Sequence, residues 1–243
     1  MWRKLKWKIN MRVIGIAGQM QNGKDTIADY LAEKIGWGRY AFATGVKEVY
    51  CDAFGVDLEF IEKWKTNPEP PPGFDMPVRQ GLQFIGDGFR KIVPTIWIDR
   101  CFREMEFRGP TVLSDVRYMN EAIALNSINT PRATPEGDLQ AEVERAEEED
   151  DIESLGLTVL VWRPGRENSD PNGSEAQMRP YMEWCRDTGK EGWISNWDEE
   201  TWPENTDNIA VFIRNEGSIE DLYEKVDKHI IPLIEMKGLS IPF

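Results

Sequence analysis

Residues 13–31 read V-I-G-I-A-G-Q-M-Q-N-G-K-D-T-I-A-D-Y-L. The run 13–17 is apolar and predicts a buried strand, and the amphipathic run after Lys24 predicts a helix. Between them, Gly18 and Gly23 bracket a loop whose backbone amides can turn inward onto phosphate oxygens, where the helix adds the positive end of its dipole. Lys24 stands where an ammonium reaches the outer phosphates of a nucleoside triphosphate. The stretch therefore predicts a strand, a phosphate-binding loop and a helix.

The loop departs from the general G-x-x-x-x-G-K-[ST] pattern at one position. Asp25 follows the lysine, and the hydroxyl comes one residue later, at Thr26. A glycine turn before an ordinary helix is the alternative interpretation of the bare motif. Because the strand before the loop and the helix after it supply the context that the motif requires, we interpret the stretch as a nucleotide-binding loop.

Composition limits the classes of function. Residues 11–243 are long enough for a single α/β domain with a full core, and residues 1–10 are expected to be an N-terminal extension. The net charge of −14 argues against duplex nucleic acid as a partner, because such binders need a basic surface. No apolar run approaches the ~20 residues of a membrane span, so no membrane association is expected. The cysteines are widely spaced, which predicts reduced thiols in a cytoplasmic protein; they are Cys51, Cys101 and Cys185.

Strands and helices are predicted to alternate along the chain. Further strands are predicted at 39–43, 111–114, 157–162 and 208–214. This alternation is typical of a parallel sheet covered on both faces, in which ligands collect at the carboxyl ends of the strands. Two stretches interrupt it: residues 130–153 predict an acidic surface insertion without a catalytic role, and the long polar segment 163–206 predicts a lid.

The strand predicted at 111–114 ends directly in Asp115-Val-Arg117. Because the carboxyl ends of parallel strands share one edge, Asp115 is expected beside the glycine loop, where a carboxylate can hold Mg²⁺ or its water. Arg117 is then expected to reach a phosphate. A surface ion pair between the two residues is the alternative, but their combination with the loop favours phosphate chemistry. Lys24, Asp115 and Arg117 are thus the predicted catalytic set.

Other motifs follow in order along the chain, and together with Gly23-Lys-Asp-Thr26 they resemble the bacteriophage-type deoxynucleoside monophosphate kinases of the P-loop fold. The resemblance runs from residue 13 to about 228. The further matching pieces are Phe42-Ala-Thr-Gly-Val-Lys47-Glu48, Arg79-Gln-Gly-Leu-Gln-Phe-Ile-Gly86, Trp97-Ile98, Ser114-Asp-Val-Arg-Tyr-Met-Asn-Glu121, Trp162-Arg-Pro-Gly-Arg166, Ser169-Asp170 with Ser174-Glu175, and Asn215-Glu-Gly-Ser218.

The resemblance implies a fold and an activity. The fold is a three-layer α/β/α P-loop NTPase domain with a five-stranded parallel sheet in the order 2-3-1-4-5, with a helical segment at 44–109 that binds the acceptor monophosphate and a lid insertion. The activity is transfer of the γ-phosphoryl group of ATP to a deoxynucleoside monophosphate (dNMP), which needs Mg²⁺. The resemblance is also compatible with a homodimer and, for a phage-encoded chain, with the host cytoplasm.

Individual roles are likewise implied by the resemblance. The residues expected to bind ATP are Gly18, Asn22, Gly23, Lys24, Asp25 and Thr26, with Arg163 and Arg166 from the lid. Thr26 and Asp115 would hold Mg²⁺, partly through water. The residues expected to bind the dNMP are Lys47, Arg79, Trp162, Asp170 and Glu175. Among these, Arg79 would bind the acceptor phosphate, and Trp162 would stack on the base.

Two alternatives stay open at this point. A P-loop kinase of another small acceptor, of the dephospho-coenzyme A or phosphomevalonate kind, would keep the fold but would not need Trp162, Asp170 and Glu175. A non-catalytic nucleotide-binding regulator would bind ATP or a deoxynucleotide without turnover, and Asp25 in the usual hydroxyl position keeps that hypothesis open.

Overall fold

A computed structural model of the protein describes residues 11–128, 155–165, 177–193 and 209–236. The predicted extension at 1–10 and the acidic insertion at 130–153 lie outside these ranges. The chain divides into two compact units: residues 41–104 form the second, and the described residues before and after them form the first. The second unit coincides within a few residues with the segment 44–109 that was predicted to bind the acceptor.

The first unit is built on a six-stranded sheet. Its strands are β1 (Arg12–Ala17), β2 (Gly38–Tyr40), β3 (Thr111–Val116), β4 (Leu155–Trp162), β5 (Gly192–Trp193) and β6 (Val211–Arg214). The spatial order is β2-β3-β1-β4-β6-β5. Strands β2, β3, β1, β4 and β6 are parallel to one another. The edge strand β5 pairs antiparallel with β6. The predicted five-stranded parallel sheet in the order 2-3-1-4-5 is therefore confirmed, with a two-residue edge strand added.

Helices cover both faces of this sheet. They are α1 (Lys24–Ile35), α6 (Met119–Asn126), α7 (Arg179–Thr188), α8 (Ile219–His229) and α9 (Ile231–Met236). Ile14 and Ile16 of β1 pack into one buried cluster with α1 and α8. Gly15 points to the other face, where a Cβ would meet the side chain of Leu125 in α6. On that same face the ring of Trp184 in α7 lies 5.5 Å from that of Phe212. These contacts make three layers, because alternate residues of a strand face opposite sides.

The second unit is helical. It contains α2 (Phe42–Phe54), α3 (Leu58–Trp64), α4 (Val78–Ile92) and the first part of α5 (Ile96–Arg108). Its small core centres on the fully buried side chains of Tyr50, Ile61 and Val78, with aromatic rings packed around them. The Asp57 side chain caps α3 by accepting a hydrogen bond from the amide of Phe60 at 2.7 Å.

The predicted strand limits need small corrections. The strand expected at 39–43 ends at Tyr40, because Ala41 is the extended residue that precedes α2. The strand expected at 111–114 continues to Val116, which places Asp115 inside it rather than after it. All three cysteines carry free thiols, and in Cys185 burial raises the pKa to about 12.

A glycine pair tests this packing. A Cβ at Gly156 in β4 would lie 1.9 Å from the backbone carbonyl of Leu125, whereas a Cβ at Gly88 in α4 meets nothing within 4 Å. We expect Gly156→Ala to lower the free energy of unfolding by about 3 kcal/mol or more through overpacking. Gly88→Ala should raise it by about 0.5–1 kcal/mol through helix propensity. Urea denaturation measures both, and a neutral Gly156→Ala would contradict the close packing of α6 on β4.

Candidate active site

The glycine loop, residues 18–23, leaves the carboxyl end of β1 and leads directly into α1. Gly18 has a φ of 140°, and a Cβ there would lie 2.5 Å from the carbonyl oxygen of Val161 in β4. Glycine combines this backbone conformation with such a close approach, and other residues do not. The loop therefore lies tight against the sheet edge, with the first amides of a helix directly after it, as a phosphate site requires.

Lys24 is the first residue of α1, and its side chain turns back over the loop. The residue is 8% exposed. Its Nζ donates hydrogen bonds to the carbonyl oxygens of Gly18 and Gln19, the second at 2.8 Å. Phosphate oxygens are charged and accept more strongly than neutral carbonyls. The ammonium is thus held where it can exchange carbonyl acceptors for the oxygens of a phosphate in the loop.

Side-chain hydrogen bonds of two buried asparagines hold the glycine loop in place. Nδ2 of Asn22 donates to the carbonyl of Val161 at 3.0 Å and lies 3.8 Å from Sδ of Met182 in α7. Nδ2 of Asn215 donates to the carbonyl of Asn22 at 2.9 Å, and its backbone amide donates to the carbonyl of Trp162 at 2.7 Å. The structure thus gives the side chain of Asn22, predicted to bind ATP, a supporting role. Asn215 received no role from the sequence.

The first turn of α1 explains the unusual aspartate. Asp25 is exposed, and its carboxylate pairs with Nη2 of Arg39 at 3.3 Å, while its backbone carbonyl accepts from Nη1 of the same arginine at 3.1 Å. Arg39 also pairs with Asp29 at 3.0 Å. Asp25 therefore ties α1 to β2, and its contact with ATP stays a prediction. Thr26 is half-buried one residue further along the turn.

Asp115 and Arg117 lie beside the loop, as their position in the sequence predicts. Val116 is the register partner of Ala17, the residue before the loop. Asp115 is 8% exposed. The buried carboxylate of Glu121 accepts the backbone amides of Arg117 at 2.8 Å and of Tyr118 at 3.1 Å. Glu121, quoted only within a motif, therefore fixes the turn that carries Arg117.

The end of β4 carries Trp162 and Arg163. Trp162 is 4% exposed, and the guanidinium carbon of Arg214 lies 4.9 Å from its ring centroid. Nη2 of Arg214 also donates to Glu216 at 2.6 Å, which raises the pKa of Arg214 and lowers that of Glu216. The indole is thus packed under an arginine, and its stacking on a base stays a prediction. Arg163 is exposed, and the predicted Arg166, Asp170 and Glu175 lie outside the described residues.

Lys47, one predicted acceptor residue, lies in α2 of the second unit. Its Nζ pairs with Oε1 of Glu62 at 2.8 Å, and Glu62 also pairs with Lys65. Hydrogen bonds from the two lysines lower the pKa of Glu62. The charge of Lys47 is therefore compensated by a carboxylate of its own unit.

Arg79, the other predicted acceptor residue, is exposed in the first turn of α4. It lines a cavity of about 440 Å³ within the second unit. The lining residues are Lys65, Thr66, Asn67, Pro68, Pro77, Arg79, Gln80 and Gln83. This lining combines two cations with amide side chains, and helix α4 adds the positive end of its dipole. Such a cavity can bind an anion that also carries hydrogen-bonding groups.

The residues predicted to hold Mg²⁺ fit the way P-loop enzymes bind it. No group of three or more His, Cys, Asp or Glu side chains within the described ranges could hold a metal ion. Mg²⁺ in nucleotide sites is held by one or two protein oxygens together with phosphates and water. Asp115 at the sheet edge and the hydroxyl of Thr26 can supply those two oxygens.

Comparison with known proteins adds a sequence relative. The chain is 26% identical over 186 residues to the "Putative deoxynucleotide monophosphate kinase" of Acanthamoeba polyphaga mimivirus, which covers 70% of this chain and 83% of the relative. No family model matches the chain.

Two solved structures that match the chain distantly are kinases. Dephospho-CoA kinase from Campylobacter jejuni is 14% identical with a TM-score of 0.37, covering 93% of this chain and 98% of that protein. Thymidylate kinase from Candida albicans is 14% identical with a TM-score of 0.39, covering 94% and 93%. Fold and site therefore rest on the strand order and contacts described above.

Within the described residues, no helix is long and apolar enough to cross a membrane.

The fastening of the loop can be tested at Asn215. We expect Asn215→Ala to lower the free energy of unfolding by about 1–3 kcal/mol, because the carbonyl of Asn22 loses a buried donor. ATP–Mg²⁺ should also bind more weakly, since the loop is no longer held in place. Denaturation and calorimetric titration measure the two effects. Asn126→Ala, at the last residue of α6, serves as control, and equal ATP affinities in both variants would contradict the fastening role.

Proposed function

We propose that this protein is a deoxynucleoside monophosphate kinase that transfers the γ-phosphoryl group of ATP to a dNMP and releases a dNDP and ADP. The observation that carries the proposal is the juxtaposition of Lys24 and its glycine loop with Asp115 and Arg117 at one edge of a parallel sheet. Phosphoryl transfer requires a phosphate loop with its lysine, a carboxylate that holds the metal, and an arginine that neutralises charge on the phosphoryl oxygens.

The named relative supports the choice of acceptor. The similarity extends over 83% of that protein, so it includes more than a phosphate loop. Its name gives the acceptor class that the motifs quoted above also imply. A kinase that acts on a nucleotide or another small acceptor is the broader statement, and the dNMP is the specific proposal.

The division of labour follows from the site. ATP would supply the transferred phosphoryl group, and Mg²⁺ would neutralise charge on its phosphates. Lys24 would contact the outer phosphates, Arg117 would bind phosphoryl oxygens, and Asp115 with Thr26 would hold the metal. Such catalysis consists of positioning and charge neutralisation, so a nucleophilic side chain is not needed.

On the acceptor side, we assign the 5′-phosphate of the dNMP to Arg79 in the cavity at the start of α4. Lys47, Trp162, Asp170 and Glu175 complete the proposed acceptor set, and Arg163 and Arg166 are proposed to contact ATP. The lining contains no carboxylate, and because its Lys65 pairs with Glu62, Arg79 is the cation that we assign to a phosphate monoester. The side-chain amides of Gln80 and Gln83 offer both donors and acceptors, which suit a nucleobase.

An ADP-release assay tests the activity directly. The full chain is incubated with ATP, Mg²⁺ and, separately, dGMP, dTMP, dCMP, dAMP and their ribose counterparts. We expect turnover with at least one deoxynucleotide. Silence with every nucleotide, while ATP still binds, would overturn the dNMP proposal and direct attention to other acceptors or to a regulatory role.

The assignment of the acceptor phosphate to Arg79 is tested by a substitution at that residue. Arg79→Ala should lower kcat/KM for the dNMP by about 10- to 100-fold, the effect of one charged hydrogen bond, and should leave the KM for ATP unchanged. Arg103→Ala is the matched control, because Arg103 is exposed in α5 and donates only to the carbonyl of Asp99 among the described contacts. Equal loss in both variants, or a change confined to ATP, would contradict the role of Arg79.

A further inference from the structure

Arg117 and Arg179 each bury at least one guanidinium nitrogen that has no acceptor among the described residues; Arg100 also buries its Nε, but it pairs with Glu48 through Nη2. Nε of Arg117, and Nε and Nη2 of Arg179, are buried and have no hydrogen-bond partner within the described part of the chain. Other arginines are paired: Arg39 with Asp25 and Asp29, and Arg214 with Glu216. Arg179 received no role from the sequence motifs.

Arg179 begins α7, and two contacts locate this end of the helix. Oε1 of Gln177 accepts the backbone amide of Met119 at 2.9 Å, so the start of α7 lies beside the turn that carries Arg117. Sδ of Met182 lies 3.8 Å from Nδ2 of Asn22 in the glycine loop. Residues three apart on a helix share a face. Arg179 therefore lies on the face of α7 that meets the loop.

Arg117 reaches the same region from the other side. It follows Val116, whose register partner Ala17 immediately precedes Gly18. The carboxylate of Glu121 holds its backbone amide, so the backbone of this arginine is fixed. The two half-buried arginines thus start on either side of the glycine loop, Arg117 directly after β3 and Arg179 at the start of α7.

A buried guanidinium nitrogen without an acceptor is unfavourable. A buried donor that is left unsatisfied costs about 1–3 kcal/mol, and more when it belongs to a charged group. Two such groups beside one loop would be costly in a purely structural role. The cost is recovered when an anion binds, and guanidinium groups bind phosphate oxygens with several parallel hydrogen bonds.

We propose that Arg179 and Arg117 form an oxyanion site that binds the phosphoryl oxygens of a polyphosphate held in the glycine loop. Arg179 is thereby a phosphate-binding residue. The assignment rests on the proposed function for its choice of a polyphosphate as the anion, but it does not depend on which acceptor the enzyme uses.

The test compares Arg179→Met with Arg186→Met, since Arg186 is exposed on the same helix and pairs with Asp187. Affinities for tripolyphosphate and for ATP–Mg²⁺ are measured by calorimetry well below the unfolding midpoints, and each midpoint is measured without ligand. We expect Arg179→Met to bind tripolyphosphate at least 10-fold more weakly than the wild type. Its unfolding midpoint should equal or exceed that of the wild type, because the substitution removes two buried donors that lack an acceptor within the described ranges. Arg186→Met should retain the affinity.

The opposite pattern would overturn the proposal. A structural arginine predicts a lower unfolding midpoint for Arg179→Met with tripolyphosphate affinity within 10-fold of the wild type. Failure of the wild type itself to bind tripolyphosphate would also overturn it. If Arg179→Met does not fold, Arg179→Lys replaces it. Because an ammonium lacks the parallel donors of a guanidinium, wild-type affinity for tripolyphosphate in Arg179→Lys would contradict the proposal. Tripolyphosphate binding that depends on Arg179 without turnover of any dNMP would uphold the oxyanion site and reject only the acceptor.

Discussion

Hydrogen bonding of β1 between β3 and β4 is the constraint on which the candidate site depends. Ala17, the last residue of β1, has Val116 as its partner on one side and Leu160 on the other. All residues of β3 and β4 are buried, and a slip of one residue would move larger side chains into the close contacts that Gly15 and Gly156 make with Leu125 of α6. The register is therefore fixed, and with it the approach of Gly18 to Val161. The same register brings Arg117 to the loop.

An acidic chain must create positive potential locally if it is to bind phosphates. With a net charge of −14, several cations of the described residues pair with carboxylates, as Lys34 does with Asp227 at 2.6 Å and Lys47 with Glu62. Such pairs add little field at a distance. Lys24 differs, because its described acceptors are neutral carbonyls. Its ammonium therefore lies at the glycine loop itself, where a phosphate would be bound.

The sequence predicts those features that depend on local pattern. The apolar run before Gly18 and the amphipathic run after Lys24 predict β1 and α1, and the rule that parallel strands share a carboxyl edge predicts the place of Asp115. It does not predict contacts between distant residues. Nothing in the motif around Asp25 indicates its pairing with Arg39, 14 residues away. Asn215 reaches Asn22 across 193 residues, and the two-residue β5 is too short to show any periodicity.

The position of Lys24 also bears on which ligands the loop can select. Its ammonium gives up hydrogen bonds to Gly18 and Gln19 only when a better acceptor arrives, and the exchange of a neutral for a charged acceptor is worth roughly 1 kcal/mol or more per bond. A ligand without an outer phosphate cannot offer that exchange. With adenosine, Lys24 would therefore keep its hydrogen bonds to the carbonyls of Gly18 and Gln19. With a triphosphate, it would exchange them for hydrogen bonds to phosphate oxygens. The buried fastening by Asn22 and Asn215 makes this discrimination effective, since a loop free to deform could move its carbonyls with the lysine.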